Sequence, residues 1–295
     1  MNGLELKSIN LEDRPLFDHY FNAFLPKISE YTFTNLFIWS KPKNIRYAVH
    51  DGGLIMTALD RDERNYFLPP IGFNDCNKVL GFMISFGIQN NIRLIELLPE
   101  FQKRYLKGFS CRIEPDRNSF DYIYKTSSLA SLKGWRLDGK RGFIKKFSEN
   151  YSYEYVQYNE GYNKQCLELY EKWLGGKKII DKNLNDEYFS FREFLRNYNS
   201  LSDTLAGGLI FVKDRLAAFS FGERLNDNMF VVHFEKADLE FTGSYQIINQ
   251  LFIQNEVLPK YPFINREQDM GMEGLRKAKL SYVPFKLLKK YTVTF

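Results

Sequence analysis

Cysteine and histidine are scarce. There are three of each among 295 residues, and Cys76, Cys111 and Cys166 are too far apart for a CxxC pair. That excludes the framework of a disulfide-stapled secreted protein and a thiolate zinc site. His19, His50 and His233 are equally scattered, so no metal ligand is assigned to any residue. Long hydrophobic runs are missing too, because nowhere do 18 consecutive apolar residues occur. The N-terminal stretch MNGLELKSINLEDRPLF carries acids where an export signal needs an apolar core. A cytoplasmic chain without a transmembrane segment is expected.

What is plentiful is aromatic. Phe, Tyr and Trp make up 17% of a chain that is 44% hydrophobic and 26% charged, the balance of a folded globular protein. Most of these rings are read as core, since burial is their commoner fate. The length suits two domains.

The net charge of +5 is unevenly spread. Residues 133–146, KGWRLDGKRGFIKK, hold six bases against Asp138, a local balance of +5. Residues 266–290 hold seven bases against Glu267, Asp269 and Glu273, a balance of +4, so the remainder is mildly acidic at −4. Two basic stretches on an acidic body point to an anionic partner, either nucleic-acid phosphate or lipid headgroups.

Periodicity predicts the same order of elements twice. In the first half a helix over 11–27 precedes a hairpin turning at Asp51, Gly52 and Gly53. Then come a strand over 65–70, a helix over 74–89, a strand over 92–97, a short helix over 99–108 and a closing strand over 120–125. In the second half helices over 163–174 and 185–198 precede a hairpin turning at Lys213, Asp214 and Arg215. A strand over 228–237, a helix over 243–258, a strand over 263–267, a helix over 273–279 and a last strand over 287–295 follow. The two hairpin turns lie 162 residues apart. The expectation is a duplicated α/β unit with mixed sheets covered by helices. Its domains are 1–125 and 148–295, joined by a basic linker at 126–147.

That order is similar to the GNAT acyltransferase fold, and two copies in one chain resemble the tandem aminoacyltransferases of the Fem ligase and phosphatidylglycerol lysyltransferase groups. The specific signal is INREQDMGMEGLRKAKLSYVPFKLLKKY at 264–291. It resembles the C-terminal signature of a family related to the C-terminal domain of phosphatidylglycerol lysyltransferase. FTNLFIWS at 33–40, GKRGFIKKF at 139–147 and HFEKADLEFTGSYQIIN at 233–249 support it. One departure is Gly142, which follows Lys140 and Arg141 where the family pattern leads us to expect Asn.

Aminoacyl or acyl transfer needs a base for the attacking amine or hydroxyl, a polarised carbonyl and an acid for the leaving atom. The resemblance implies that reactants meet where the central strands splay. Glu235 is the candidate base, Tyr245 the candidate acid, and Glu273 a further candidate catalytic carboxylate. Gly271 and Gly274 sit in a segment where helix formation alone does not ask for glycine. Arg276 and Lys279 are therefore assigned to phosphate or terminal adenosine, and Asp269 with Glu273 to the donor ammonium. Lys236, Gly243 and Tyr282 complete the donor and substrate set. Lys140, Arg141 and Lys145 are the expected tRNA or anion contacts.

The coenzyme A fingerprint, Arg or Gln, two residues, Gly, one residue, then Gly or Ala, is absent after both central strands. The leading reading is thus an acyltransferase with no tightly bound cofactor. Its donor is aminoacyl-tRNA and its acceptor a lipid, peptide or small amine, the lipid being reached from the cytoplasm at the inner membrane surface. Two readings stay open beside it: an acyl-CoA-dependent N-acyltransferase, and a non-catalytic module that binds RNA or an anionic membrane.

Overall fold

A computed structural model describes residues 5–60, 62–177 and 181–295. Residues 1–4 of the N-terminal stretch discussed above lie outside the described residues. Strands β1 (Lys7–Ser8), β2 (Arg46–His50), β3 (Gly53–Leu59), β4 (Asn65–Phe67), β5 (Leu94–Pro99), β6 (Arg112–Pro115) and β7 (Asp121–Lys125) come from the first part of the chain. Strands β8 (Tyr153–Gln157), β9 (Leu205–Val212), β10 (Arg215–Asn226), β11 (Met229–Ala237), β12 (Phe263–Asn265), β13 (Lys286–Leu288) and β14 (Lys290–Thr294) follow.

They form two mixed sheets of seven strands. The first runs β1-β2-β3-β4-β5-β14-β6 and the second β13-β7-β12-β11-β10-β9-β8. Each contains a parallel pair, β4 with β5 and β11 with β12, among antiparallel neighbours.

The hairpins form as their turn chemistry dictates. Asp51 and Gly52 take positive φ between β2 and β3, and Lys213 does so between β9 and β10. Helix ends are equally local. Helix α1 (Arg14–Phe24) ends in left-handed Leu25, and the Thr32 side chain caps α2 (Phe33–Ser40). The Asp75 carboxylate accepts from two backbone amides to start α3 (Cys76–Asn90), which ends in left-handed Asn91.

The expected linker is not an extended connection. It folds into α4 (Thr126–Ser131), a 3₁₀ turn at Trp135–Leu137 and α5 (Asp138–Asn150). Then come α6 (Asn163–Gly175), α7 (Lys182–Arg196), α8 (Tyr198–Leu201), α9 (Ser244–Phe252) with a π-helical turn at Ile253–Val257, and α10 (Glu273–Leu280).

The chain divides into two compact units, and neither is continuous. The first comprises Met1–Asp121, Gln268–Met272 and Leu287–Phe295; the second comprises Tyr122–Glu267 and Glu273–Lys286. These bounds differ from those expected at 125 and 147, because the last strand returns to the first sheet while β7 joins the second. The first core gathers Ile55, Phe67, Val79, Met83 and Ile95 with Tyr291 and Val293 of β14. The second stacks Phe191 of α7 on Phe219 of β10 at 5.0 Å, with Phe194, Phe221 and Phe234 edge-on or tilted around them. Many of the rings that dominate the composition are core.

Candidate active site in the second unit

Strands β11 and β12 pair in parallel from Met229 opposite Phe263 to Val231 opposite Asn265. There the pairing stops, although β11 continues to Ala237. One cause is visible in β11 itself. Phe234 faces Phe221 and Val232 faces Gly222, so His233 is an extra residue, a β-bulge. The bulge changes which side chains face which layer. Phe230 packs on Phe252 of α9, whereas Phe234 packs on Phe191 and Phe194 of α7. Beyond the bulge Glu235 faces α9, where Asn249 donates to its Oε2 at 3.3 Å.

Charged residues just past the end of β12 bridge this opening. Arg266 Nη2 donates to Glu235 Oε1 at 2.7 Å, and both side chains are largely buried. Glu267 Oε1 lies 2.9 Å from His233 Nδ1, and Glu223 of β10 lies 3.0 Å from His233 Nε2. Burial alone lowers the His233 pKa. The two carboxylates outweigh it and raise the ring to about 9.

Tyr282 lies against Arg266, its ring 5.3 Å from the guanidinium, and Lys140 of α5 covers the same ring at 4.3 Å. Lys279 Nζ donates to the Arg266 carbonyl at 2.6 Å, and the Tyr124 hydroxyl donates to the Lys279 carbonyl at 2.7 Å. Burial raises the phenols of Tyr124 and Tyr282, so both stay protonated donors at neutral pH.

Four residues singled out in the sequence therefore come together: Glu235, Lys279, Tyr282 and Lys140. Tyr245, in the first turn of α9, has its phenol raised by burial and then by the charge of Glu235. Lys236 faces the other layer, 2.7 Å from Glu187 of α7 and over the rings of Trp173 and Tyr170.

Gly243 has φ +97, and a Cβ there would stand 2.4 Å from the Phe143 carbonyl of α5, so close packing of two helices requires it. Glu273 and Gly274 are exposed at the start of α10, and a Cβ on Gly274 would meet open space. Arg276 is half-buried on the same helix. Arg141 ties Asp138 to the carbonyls of Leu132 and Gly134, and Lys145 pairs with Glu149 at 3.6 Å.

Asp269 and Gly271 belong to the first unit. There Asp269 is fully buried, pairs with Arg117 at 3.0 Å and accepts from the Gly271 amide. Gly271 has φ +75, which explains its glycine without a ligand.

Sequence reasoning passed over Arg266, Tyr124, His233 and Glu223. Arg266 and His233 stand in segments read as strands, but nothing in linear spacing shows that a bulge turns one strand toward the other. In the first unit a pocket beside β5 is lined mainly by apolar groups, among them Leu80, Ile95, Leu98, Tyr105 and Leu106, with Gln102.

The sequence model of the family described as phosphatidylglycerol lysyltransferase, C-terminal, matches residues 21–294. The chain belongs to this family. A conserved protein of unknown function from Bacteroides thetaiotaomicron is 30% identical in sequence, with a TM-score of 0.90 over 99% of each chain.

Two more distant likenesses are of fold. L-PGS from Bacillus licheniformis has a TM-score of 0.65 at 13% identity, over 96% of this chain and 91% of the other. A tandem GNAT protein from the clavulanic acid biosynthesis pathway has a TM-score of 0.51 at 10% identity, over 98% of each. The family member folds as a tandem GNAT-like protein with two mixed sheets covered by helices. A curated relative, uncharacterized protein MYCGA3080 of Mycoplasmoides gallisepticum, matches at 25% identity over 187 residues; the match spans 60% of this chain and 56% of the relative.

Proposed function

We propose that the chain is an aminoacyltransferase that moves an aminoacyl group from aminoacyl-tRNA to a lipid, peptide or small amine. The observation that carries this reading is the buried Glu235–Arg266 pair at the end of the β11–β12 pairing, ringed by tyrosines, in a member of a lysyltransferase family. Glu235 takes the proton of the attacking amine or hydroxyl, and Arg266 holds the carboxylate toward the opening. The freed lone pair forms a bond to the aminoacyl carbonyl carbon. The ester bond to the ribose breaks, and Tyr245 returns a proton to the leaving oxygen. Glu273, exposed at the start of α10, is the carboxylate for a donor ammonium. Asp269 is not asked to share that role, because Arg117 already neutralises it.

The geometry weighs against coenzyme A as donor in this unit. The loop after β11 carries Asp238 and Glu240, cross-linked by Lys172 and Arg215 at 2.6–3.0 Å, where a pyrophosphate needs positive charge. At the start of α9, Gly243 is packed against α5. Among the described residues no helix is long and apolar enough to cross a membrane, so the reading has the chain work from the cytoplasm and meet a lipid acceptor at the inner leaflet.

The test is discharge of labelled aminoacyl-tRNA by the full chain in the presence of lipid extract, peptides or polyamines. Acceptor-dependent loss of label is expected for one amino acid, with Glu235→Gln slower by about 100-fold or more. Unchanged aminoacyl-tRNA across all amino acids and acceptor classes would overturn the assignment.

A further inference from the structure

Lys140 is half-buried, and among the described residues it has no carboxylate partner. Its neighbours are the Tyr282 ring at 4.3 Å and the Arg266 guanidinium, which lies against the same ring. Burial first, and the charge of Arg266 second, push its pKa down. Two cations on one ring repel each other in a partly desolvated place. Among the described residues Arg266 donates a single side-chain N–H, to Glu235, whereas a guanidinium carries five. The other bases nearby are differently placed, Arg141 being tied to Asp138 and Lys279 to the Arg266 carbonyl.

Such an arrangement is under-neutralised. We infer that Lys140 and Arg266, with Tyr282 between them, form a seat for one phosphodiester group of a single-stranded RNA end. A monoanion there meets an ammonium and the free edge of a guanidinium, the pairing that binds phosphate most strongly. RNA is favoured as the source by what precedes Lys140 in the chain. Trp135 is 78% exposed in the 3₁₀ turn that leads into α5, with the Arg136 guanidinium 5.4 Å from its ring. An exposed indole backed by arginine is a platform for an unstacked base. Exposed Lys133 and Lys146 extend the positive surface on either side.

The inference deepens the donor reading, on which it rests only for the identity of the phosphate's carrier. It keeps Lys140, one of the expected tRNA or anion contacts, and adds Arg266, where the sequence assigned phosphate or terminal adenosine to Arg276 and Lys279.

The experiment is thermal stabilisation of the full chain at constant ionic strength by inorganic phosphate, the trinucleotide CpCpA and soluble short-chain phosphatidylglycerol. No transfer chemistry enters the readout, so the outcome is independent of whether the chain is a transferase. Phosphate and CpCpA should both raise Tm. Lys140→Met, which keeps the aliphatic stem over Tyr282, should weaken both by about tenfold or more, and Lys140→Arg should restore binding. Trp135→Ala should weaken CpCpA and leave phosphate unchanged. Equal phosphate affinity of the wild type and Lys140→Met, or no stabilisation of the wild type, overturns the seat. Stabilisation by phosphatidylglycerol but not by CpCpA overturns RNA as its source.

Discussion

His233 shows how much a single residue depends on partners that the sequence does not mark. Both ring nitrogens face carboxylates, Glu267 at Nδ1 and Glu223 at Nε2. Ionised carboxylates only accept, so the ring serves both as an imidazolium. Its pKa of about 9 in the folded chain stands against 6.5 for an ordinary histidine. The folded state therefore keeps a proton that the unfolded chain loses first. The stabilisation is complete below pH 6.5 and disappears as the pH climbs through 9, and a shift of this size corresponds to roughly 3 kcal/mol. Melting curves should fall more steeply between pH 6.5 and 9 for the wild type than for His233→Gln, and parallel slopes would assign the triad no such role. In the sequence His233 is one of three scattered histidines with no role assigned to it. Glu223 and Glu267 come from two other segments, and the bulge that presents the ring to them is a property of strand pairing.

At the scale of elements, two glycines near helix starts look alike in sequence and differ in structure. Gly243 precedes α9 with φ +97 and has the Phe143 carbonyl 2.4 Å from the place of a Cβ. Gly274 lies in the first turn of α10 with nothing within 4 Å of that place. Gly243→Ala must therefore separate α5 from α9 and hold a strained backbone, and a loss of ~2 kcal/mol or more is expected in denaturant titration. Gly274→Ala should leave stability unchanged or raise it by up to ~1 kcal/mol, because alanine restricts the unfolded chain and favours helix. If aminoacyl transfer nevertheless falls in the stable Gly274→Ala protein, the glycine serves ligand approach, as its sequence context suggests. Both hairpins and most of the longer helices were legible because their signals are local: the apolar spacing over 74–89 for α3, Asp51-Gly52 between β2 and β3. The helical character of 126–150 was hidden by its glycines and charge, and it emerges where Phe147 is buried and Gly243 admits the helix.

For the whole molecule, the order of elements was readable but their distribution between sheets was not, since periodicity reports which face of a strand is buried and not which strand lies beside it. Strand β7 pairs with β12, and β14 lies between β5 and β6. Neither half of the sequence thus contains a complete sheet. The exchange is fastened in the first unit by Lys290 of β14, fully buried and 2.6–2.7 Å from Glu30 and Asp121. Removing Leu287–Phe295 takes away β14, leaves β5 and β6 without their shared neighbour, and strips two buried carboxylates of their cation. Lys290→Met alone should cost about 3–5 kcal/mol, because the uncompensated charges stay buried. Fragments 1–125 and 148–295 produced separately should lack a cooperative thermal transition by circular dichroism. Fragments divided at the expected domain bounds that each unfold cooperatively, at the temperature of the intact chain, would mean that the exchanged strands add nothing to either fold. Because folding then awaits pairings between residues near opposite ends of the chain, such as Lys290 with Glu30, the intact protein should also refold slowly for its helix content.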